Sequence, residues 1–99
     1  MLTHSVYFWL RDDLTPEQHG AFRAGLETLR GIPTVQALYL GVPAPTAKRA
    51  VIEDTYTFGL VVVFPDMVGH DAYQVHPLHK AFLERFLQYW TRVAIYDFE

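Results

Sequence analysis

Cysteine is absent from the 99 residues, which excludes disulfide staples, thiolate metal sites and cysteine nucleophiles. That absence fits a reducing compartment, and a cytoplasmic location is the expectation. Basic charge is scarce as well. Eight Lys and Arg against eleven Asp and Glu leave a net charge of −3, and the basic residues are scattered, so no stripe exists to track a phosphate backbone and nucleic acid is not an expected partner. Long apolar runs are missing too: the opening MLTHSVYFWLRDD is short, is interrupted by His4 and lacks the basic leader and small-residue cleavage site of an export signal. A soluble, unexported chain with no membrane partner is expected. No glycine-rich loop precedes a helix, and no flavin, haem or nucleotide motif accompanies Trp9 and Trp90. Those tryptophans read as core or interface anchors, Gly41 and Gly59 as backbone residues, and no cofactor is expected.

What is present is enough apolar material, 51% of the residues, for one compact core and therefore a single domain over residues 1–99. From Thr3 to Arg11 aromatic and β-branched residues fill both alternate sets, which predicts a strand covered on both faces. A helix follows. Thr15 as N-cap, Pro16 at the first helical position and Gln18 three residues after the cap form a capping box, Phe22, Leu26 and Leu29 share one face, and Gly31 and Pro33 mark the end. TVQALYLG predicts a second strand, residues 42–55 a long connection, YTFGLVVVF a third strand, and RVAIYDFE a fourth. Between the last two lies a second helical stretch that contains DAYQVHPLHKAF. There a residue before proline avoids the helical region, so His76 is expected to cap a new segment beginning at Pro77.

The order strand, helix, strand, strand, helix, strand is the ferredoxin-like α+β arrangement, βαββαβ, with a four-stranded antiparallel sheet and its helices on one face. On the third strand Tyr56, Phe58, Leu60, Val62 and Phe64 alternate with Thr57, Gly59, Val61 and Val63, so neither side is polar as a solvent-facing sheet would be. A second copy of the chain is the economical cover for the face without helices. Two sheets facing across a two-fold axis would bury Tyr7, Trp9, Val61 and Val63, and a homodimer is expected.

The stretches HSVYFWL, GIPTVQALYLG, FPDMVGHDAYQVHPLHKAF and WTRVAIYDFE together resemble the stress-responsive dimeric α/β-barrel (Dabb) domain, with YQVHPLH the most specific element. The resemblance covers nearly the whole chain. It implies a homodimeric barrel with the helices outside and a cavity between sheet and helices in each subunit. A plant member of the family is a polyketide cyclase that closes a linear tetraketide by aldol condensation, using a strand histidine with a tyrosine and a histidine of the second helical region. By position these correspond to His4, Tyr73 and His79. Ala21 and Gly25 stand where that member has bulkier aromatic groups, and the 42–55 loop differs, so its substrate does not carry over.

On this reading His4, Tyr73, His79 and Asp97 are candidate catalytic residues, with Phe8, Phe22, Leu26, Leu60 and Ile95 as the apolar substrate-binding floor. His79 falls in the first turn of its helix, where the dipole favours a neutral ring able to accept a proton. His4 and Asp97 sit at adjacent ends of antiparallel first and fourth strands, so Asp97 can orient a histidine. The expected chemistry is cofactor-independent acid/base catalysis, lyase- or cyclase-like, on a small hydrophobic carbonyl or polyketide-like compound. A non-catalytic homodimeric binding or structural domain and a cofactorless monooxygenase stand beside it as alternatives. His70, His76 and His79 are the histidines a metal could recruit, but His76 and His79 flank a proline-initiated turn and no carboxylate matches a facial-triad pattern, so no metal is expected. Lys48 and Arg49 could meet an anionic group at the cavity mouth, or be solvated.

Overall fold

The computed structural model describes all 99 residues, Met1–Glu99. Strand β1 runs Leu2–Leu10, helix α1 Pro16–Thr28, strand β2 Ala37–Gly41, strand β3 Phe58–Phe64, helices α2 Met67–Val75 and α3 Pro77–Phe86, and strand β4 Trp90–Phe98. The sheet order is β2-β3-β1-β4, and every neighbouring pair is antiparallel. This is the ferredoxin-like α+β fold, with the second helix broken in two.

Local chemistry explains each helix boundary. The Thr15 side chain accepts from the Gln18 amide while the Gln18 side chain accepts from the Thr15 amide, so two otherwise unpaired backbone donors are satisfied at the start of α1. Asp66 caps α2 by accepting from the Gly69 amide. His76 ends α2 with an extended backbone, and its Nδ1 accepts from the Leu78 amide to begin α3, with Pro77 in the first turn.

Strand boundaries depart from the expectation in a consistent way. β2 begins at Ala37 rather than Thr34: Pro33 and Thr34 lie in a turn closed by the Val35 amide donating to the Ile32 carbonyl, the Thr34 hydroxyl donates to the Gly69 carbonyl, and only from Gln36, whose amide donates to the Val63 carbonyl, does the chain join β3. β3 begins at Phe58 rather than Tyr56, and β4 begins two residues early, at Trp90, where a register shift opposite Trp9 and Leu10 leaves Thr91 of β4 as the extra residue. Hydrogen bonding, not residue type, sets these ends.

Alternation sorts the sheet into two faces. Leu2, Val6, Phe8 and Leu10 of β1 with Phe58, Leu60, Val62 and Phe64 of β3 turn towards the helices and form the core with Phe22, Leu26, Leu29, Phe82 and Phe86. The opposite face carries Tyr7, Trp9, Val61 and Val63 half-buried, with Tyr39, Tyr96 and Phe98 each more than 60% exposed. The 42–55 segment belongs to that opposite face. Trp9 Nε1 donates to the Thr55 hydroxyl, and Glu53 borders Tyr7 and Trp9 in a shallow depression. Lys48 pairs with Asp54, and no residue of 42–55 reaches the space between sheet and helices. Of the two readings of Lys48 and Arg49, solvation is the one that fits: neither lines the cavity, and the exposed Lys48 pairs with Asp54 of its own loop.

Candidate active site

Between the helix-facing side of the sheet and α1, α2 and α3 lies a cavity of about 220 Å³, lined by 14 residues of which 11 are hydrophobic. Its floor is Val6 and Phe8 of β1, Leu60 of β3 and Val93 and Ile95 of β4, and its roof includes Leu26, Phe82 and Leu83. Polar groups converge at one end: His4 from β1, Tyr73 and Gln74 from α2, and His79 from α3. Three different elements bring them together, each for a reason visible in the local sequence. β1 alternation turns His4 inward, Tyr73 lies on the buried face of α2 with Gly69, and the break at His76 lets α3 turn His79 back towards Tyr73.

The electrostatics follow from burial. His4 is buried, and its Nδ1 lies 2.5 Å from Asp97 Oδ1 across the β1–β4 register pair. Burial lowers the His4 pKa below the ordinary histidine value, the Asp97 hydrogen bond and charge oppose that, and the nearby His70 adds to the lowering. Tyr73 is 1% exposed, and burial alone pushes its hydroxyl well above the usual phenol range. Its ring packs edge-on against His4 at 5.8 Å and against His79 at 4.9 Å between centroids. The His79 pKa is lowered first by burial and then by the charges of His4 and His70.

His79 Nδ1 is buried without a hydrogen-bond partner. Orphaned buried N–H groups are rarer than under-satisfied acceptors, which favours the tautomer with the proton on Nε2 and the lone pair on Nδ1. A neutral imidazole with a free lone pair beside an unionised phenol is a proton acceptor next to a proton donor.

The family model of the stress responsive A/B barrel domain matches residues 2–99. The chain belongs to that family. Olivetolic acid cyclase from Cannabis sativa is 23% identical over 96 residues, which cover 96% of this chain and 92% of the cyclase. Among solved structures, the hydroxynitrile lyase from Passiflora edulis aligns with a TM-score of 0.83 at 16% identity over 98% of this chain and 90% of the lyase. A protein of unknown function from Thermobifida fusca, described as dimeric and ferredoxin-like, gives 0.79 at 24% identity over 98% and 88%. These solved structures share the ferredoxin-like fold of this chain.

Within this A/B barrel domain, the sequence-derived set divides. His4, Tyr73 and His79 meet at the cavity, and Asp97 holds His4 from outside it. Phe8, Leu26, Leu60 and Ile95 line the cavity. Phe22 does not: it is fully buried among Phe8, Phe58, Phe82 and Phe86 and supports the wall from behind. Gly25 does not widen the cavity either, since the space beside it is filled by the Phe86 ring. Gln74 was not among the sequence-derived candidates, and His70 was a candidate only as a metal ligand. Gln74 follows the tyrosine of the motif directly and lines the cavity, and His70 sits one helical turn before it, its ring 5.2 Å from that of His4. The spacing of His70 to Gln74, four residues on one helix, was the signal available.

Proposed function

We propose that this A/B barrel domain acts as a homodimer and catalyses cofactor-independent acid/base chemistry, lyase- or cyclase-like, on a small hydrophobic carbonyl compound. The observation that carries the reading is the meeting of His79, whose Nδ1 has no hydrogen-bond partner, with Tyr73, their ring centroids 4.9 Å apart, at the polar end of an apolar cavity. His79 removes a proton from the carbon next to the carbonyl, the C–H electron pair moves into an enolate, and Tyr73 donates a hydrogen bond to the developing oxyanion. His4, oriented by Asp97, serves as the second polar partner at the carbonyl end. Two relatives bear on the reaction type, one named for a cyclase and the other for a lyase.

Size narrows the substrate. A dry engineered cavity of about 150 Å³ accommodates benzene, so about 220 Å³ suits one ring with a short substituent, or an open chain of similar bulk. Assembly follows from the sheet: Tyr7, Trp9, Val61, Val63, Tyr96 and Phe98 give one face an apolar surface that a second copy would cover.

The test is exchange of α-protons for deuterium, followed by NMR in D₂O across a series of small aryl and alkyl ketones and 1,3-diketones. His79→Gln is expected to slow exchange by about 10²–10⁴-fold and Tyr73→Phe by about 10²–10³-fold. Unchanged exchange in both variants removes their assigned roles. Binding of the series without exchange in the parent protein points instead to a passive ligand-binding domain. A stable folded monomer in sedimentation at micromolar concentration would overturn the assembly.

A further inference from the structure

The acid/base reading leaves His70 without a task, although it stands closer to His4 than Tyr73 does. His4 of β1, His70 of α2 and Asp97 of β4 each offer one donor atom, and the three atoms lie within 4.8 Å of one another. We propose that these residues form a binding site for one divalent transition-metal ion of the zinc or cobalt class. The inference does not rest on the acid/base reading, and an ion here would take over the His4–Asp97 pair which that reading uses.

The donor chemistry selects that class of ion. Two imidazoles and one carboxylate suit zinc, cobalt, nickel and ferrous iron, whereas calcium and magnesium prefer an all-oxygen set. Bonds of about 2.0–2.2 Å put the donors of one ion about 3.3–4.3 Å apart, so the wider separations must close by up to about 1.5 Å and the His4–Asp97 pair must open by about 1 Å. Expectation from sequence placed any metal among His70, His76 and His79 and found no suitable carboxylate. The structure withdraws His76, which is committed to capping α3, and supplies Asp97 from a strand 26 residues beyond Asp71 in the chain.

His70 becomes a ligand by exchanging one present partner, since its Nε2 lone pair accepts from the Gln74 amide, which a metal on that nitrogen would displace. Its Nδ1 lies 3.1 Å from Asp71 Oδ1 and its Nε2 3.3 Å from Gln74 Nε2. The Gln74 amide nitrogen can only donate, so Nε2 carries the lone pair and Nδ1–H donates to Asp71. A carboxylate that holds the far nitrogen of an imidazole fixes both its tautomer and its direction for a metal on the near nitrogen. Burial grades outward from His4 through His70 to Asp97, whose side chain is 43% exposed, which leaves the ion a route from solvent. A bound ion takes the place of the hydrogen bond between His4 and Asp97. Because His4 also lines the cavity, the ion would stand at the polar end of that cavity.

The experiment titrates Co²⁺ into the full-length, chelator-stripped protein, with visible d–d absorption as the readout and Zn²⁺ competition as the check. One Co²⁺ per chain is expected, displaced stoichiometrically by Zn²⁺. His70→Ala should weaken binding by more than about 100-fold, and Asp71→Asn by about 10-fold through loss of orientation. His76→Ala and His19→Ala should leave it unchanged. Far-UV circular dichroism of His70→Ala verifies folding, and Asp71→Asn, at an exposed position, gives a second reading that a folding defect would not mimic. Absence of Co²⁺ and Zn²⁺ binding up to about 1 mM overturns the proposal, as does binding abolished by His76→Ala but not by His70→Ala.

Discussion

Gly20 and Gly25 lie on the same helix, α1, five residues apart, and the structure assigns opposite signs to the same substitution at the two positions. An added Cβ at Gly20 meets nothing within 4 Å, so Gly20→Ala collects only the helix preference, about 0.8–1 kcal/mol of stabilisation. At Gly25 the Cβ would lie 2.3 Å from Phe86 Cε2 and 3.0 Å from Cδ2 and Cζ, against an ordinary carbon contact of about 3.5–4.0 Å. The ring cannot swing clear. Phe86 is 1% exposed, with Phe22, Phe82 and Tyr89 rings at 5.5, 5.2 and 5.0 Å and the Arg85 guanidinium carbon 4.8 Å from its centroid. Overpacking of this kind costs about 1–3 kcal/mol, and a clash this deep against a stiff ring belongs at the upper end. Less the same helix gain, Gly25→Ala is expected to lose about 2 kcal/mol, so the two variants should differ by about 3 kcal/mol. Urea unfolding monitored by circular dichroism measures both, at one protein concentration because an assembling chain gains stability by mass action. In thermal melts the loss at Gly25 corresponds to about 8–16 °C. A Gly25→Ala protein as stable as Gly20→Ala would refute the claim that α1 packs on α3 through a glycine-sized gap. It would also loosen the placement of Leu26 and Leu29, which line the cavity from the same stretch of helix.

Burial lowers the pKa values of both His4 and His79, so the unfolded chain binds more protons than the folded one between the folded values and the ordinary value of about 6.5. Stability should therefore be fully present above about pH 7 and fall as acid is added below about pH 6.5, at about 1.4 kcal/mol for each unit of depression. His79→Phe should flatten that slope in chemical denaturation between pH 7 and 5, and an unchanged slope would refute the burial of a neutral ring. His76 caps α3 through its ring nitrogen, so His76→Ala should cost about 1 kcal/mol while His76→Asn retains most of the stability. Equal losses in the two variants would show that the cap contributes nothing.

Much of this architecture was legible because local rules and the global fold agree. The capping box at Thr15 and Gln18 and the break at His76–Pro77 are chemistry within four residues, and the structure repeats them without change. The His4–Asp97 pair was legible at longer range, since strand order and antiparallel register are enough to bring residue 4 opposite residue 97. Tertiary placement decided the rest. Phe22 and Leu26 share a helical stripe in sequence, but only one of them reaches the cavity because the Phe58, Phe82 and Phe86 rings enclose the other. His70 was invisible as a partner of His4 because nothing in α2 alone says how the helix rolls across β1. The 42–55 loop has no apolar period to assign it to a face, and its anchor is a single hydrogen bond from Trp9 to Thr55.

Strand β4 joins the two faces of this molecule. It is an edge strand, and the helices leave it incompletely covered: Val93 and Ile95 remain 39% and 51% exposed on the helix-facing side, where they border the cavity with Leu83. On the other side the same strand presents Tyr96 and Phe98. Strand alternation makes these two sets inseparable, because Asp97 lies between Tyr96 and Phe98 and points oppositely to both. The register pairs Ser5 with Tyr96, His4 with Asp97 and Thr3 with Phe98, so any cover that fixes Tyr96 and Phe98 also fixes the carboxylate that orients His4. The apolar outer face and the buried polar cluster are thus two consequences of one strand, and a slip of one residue in its register would turn Asp97 outward and set tyrosine or phenylalanine in its place.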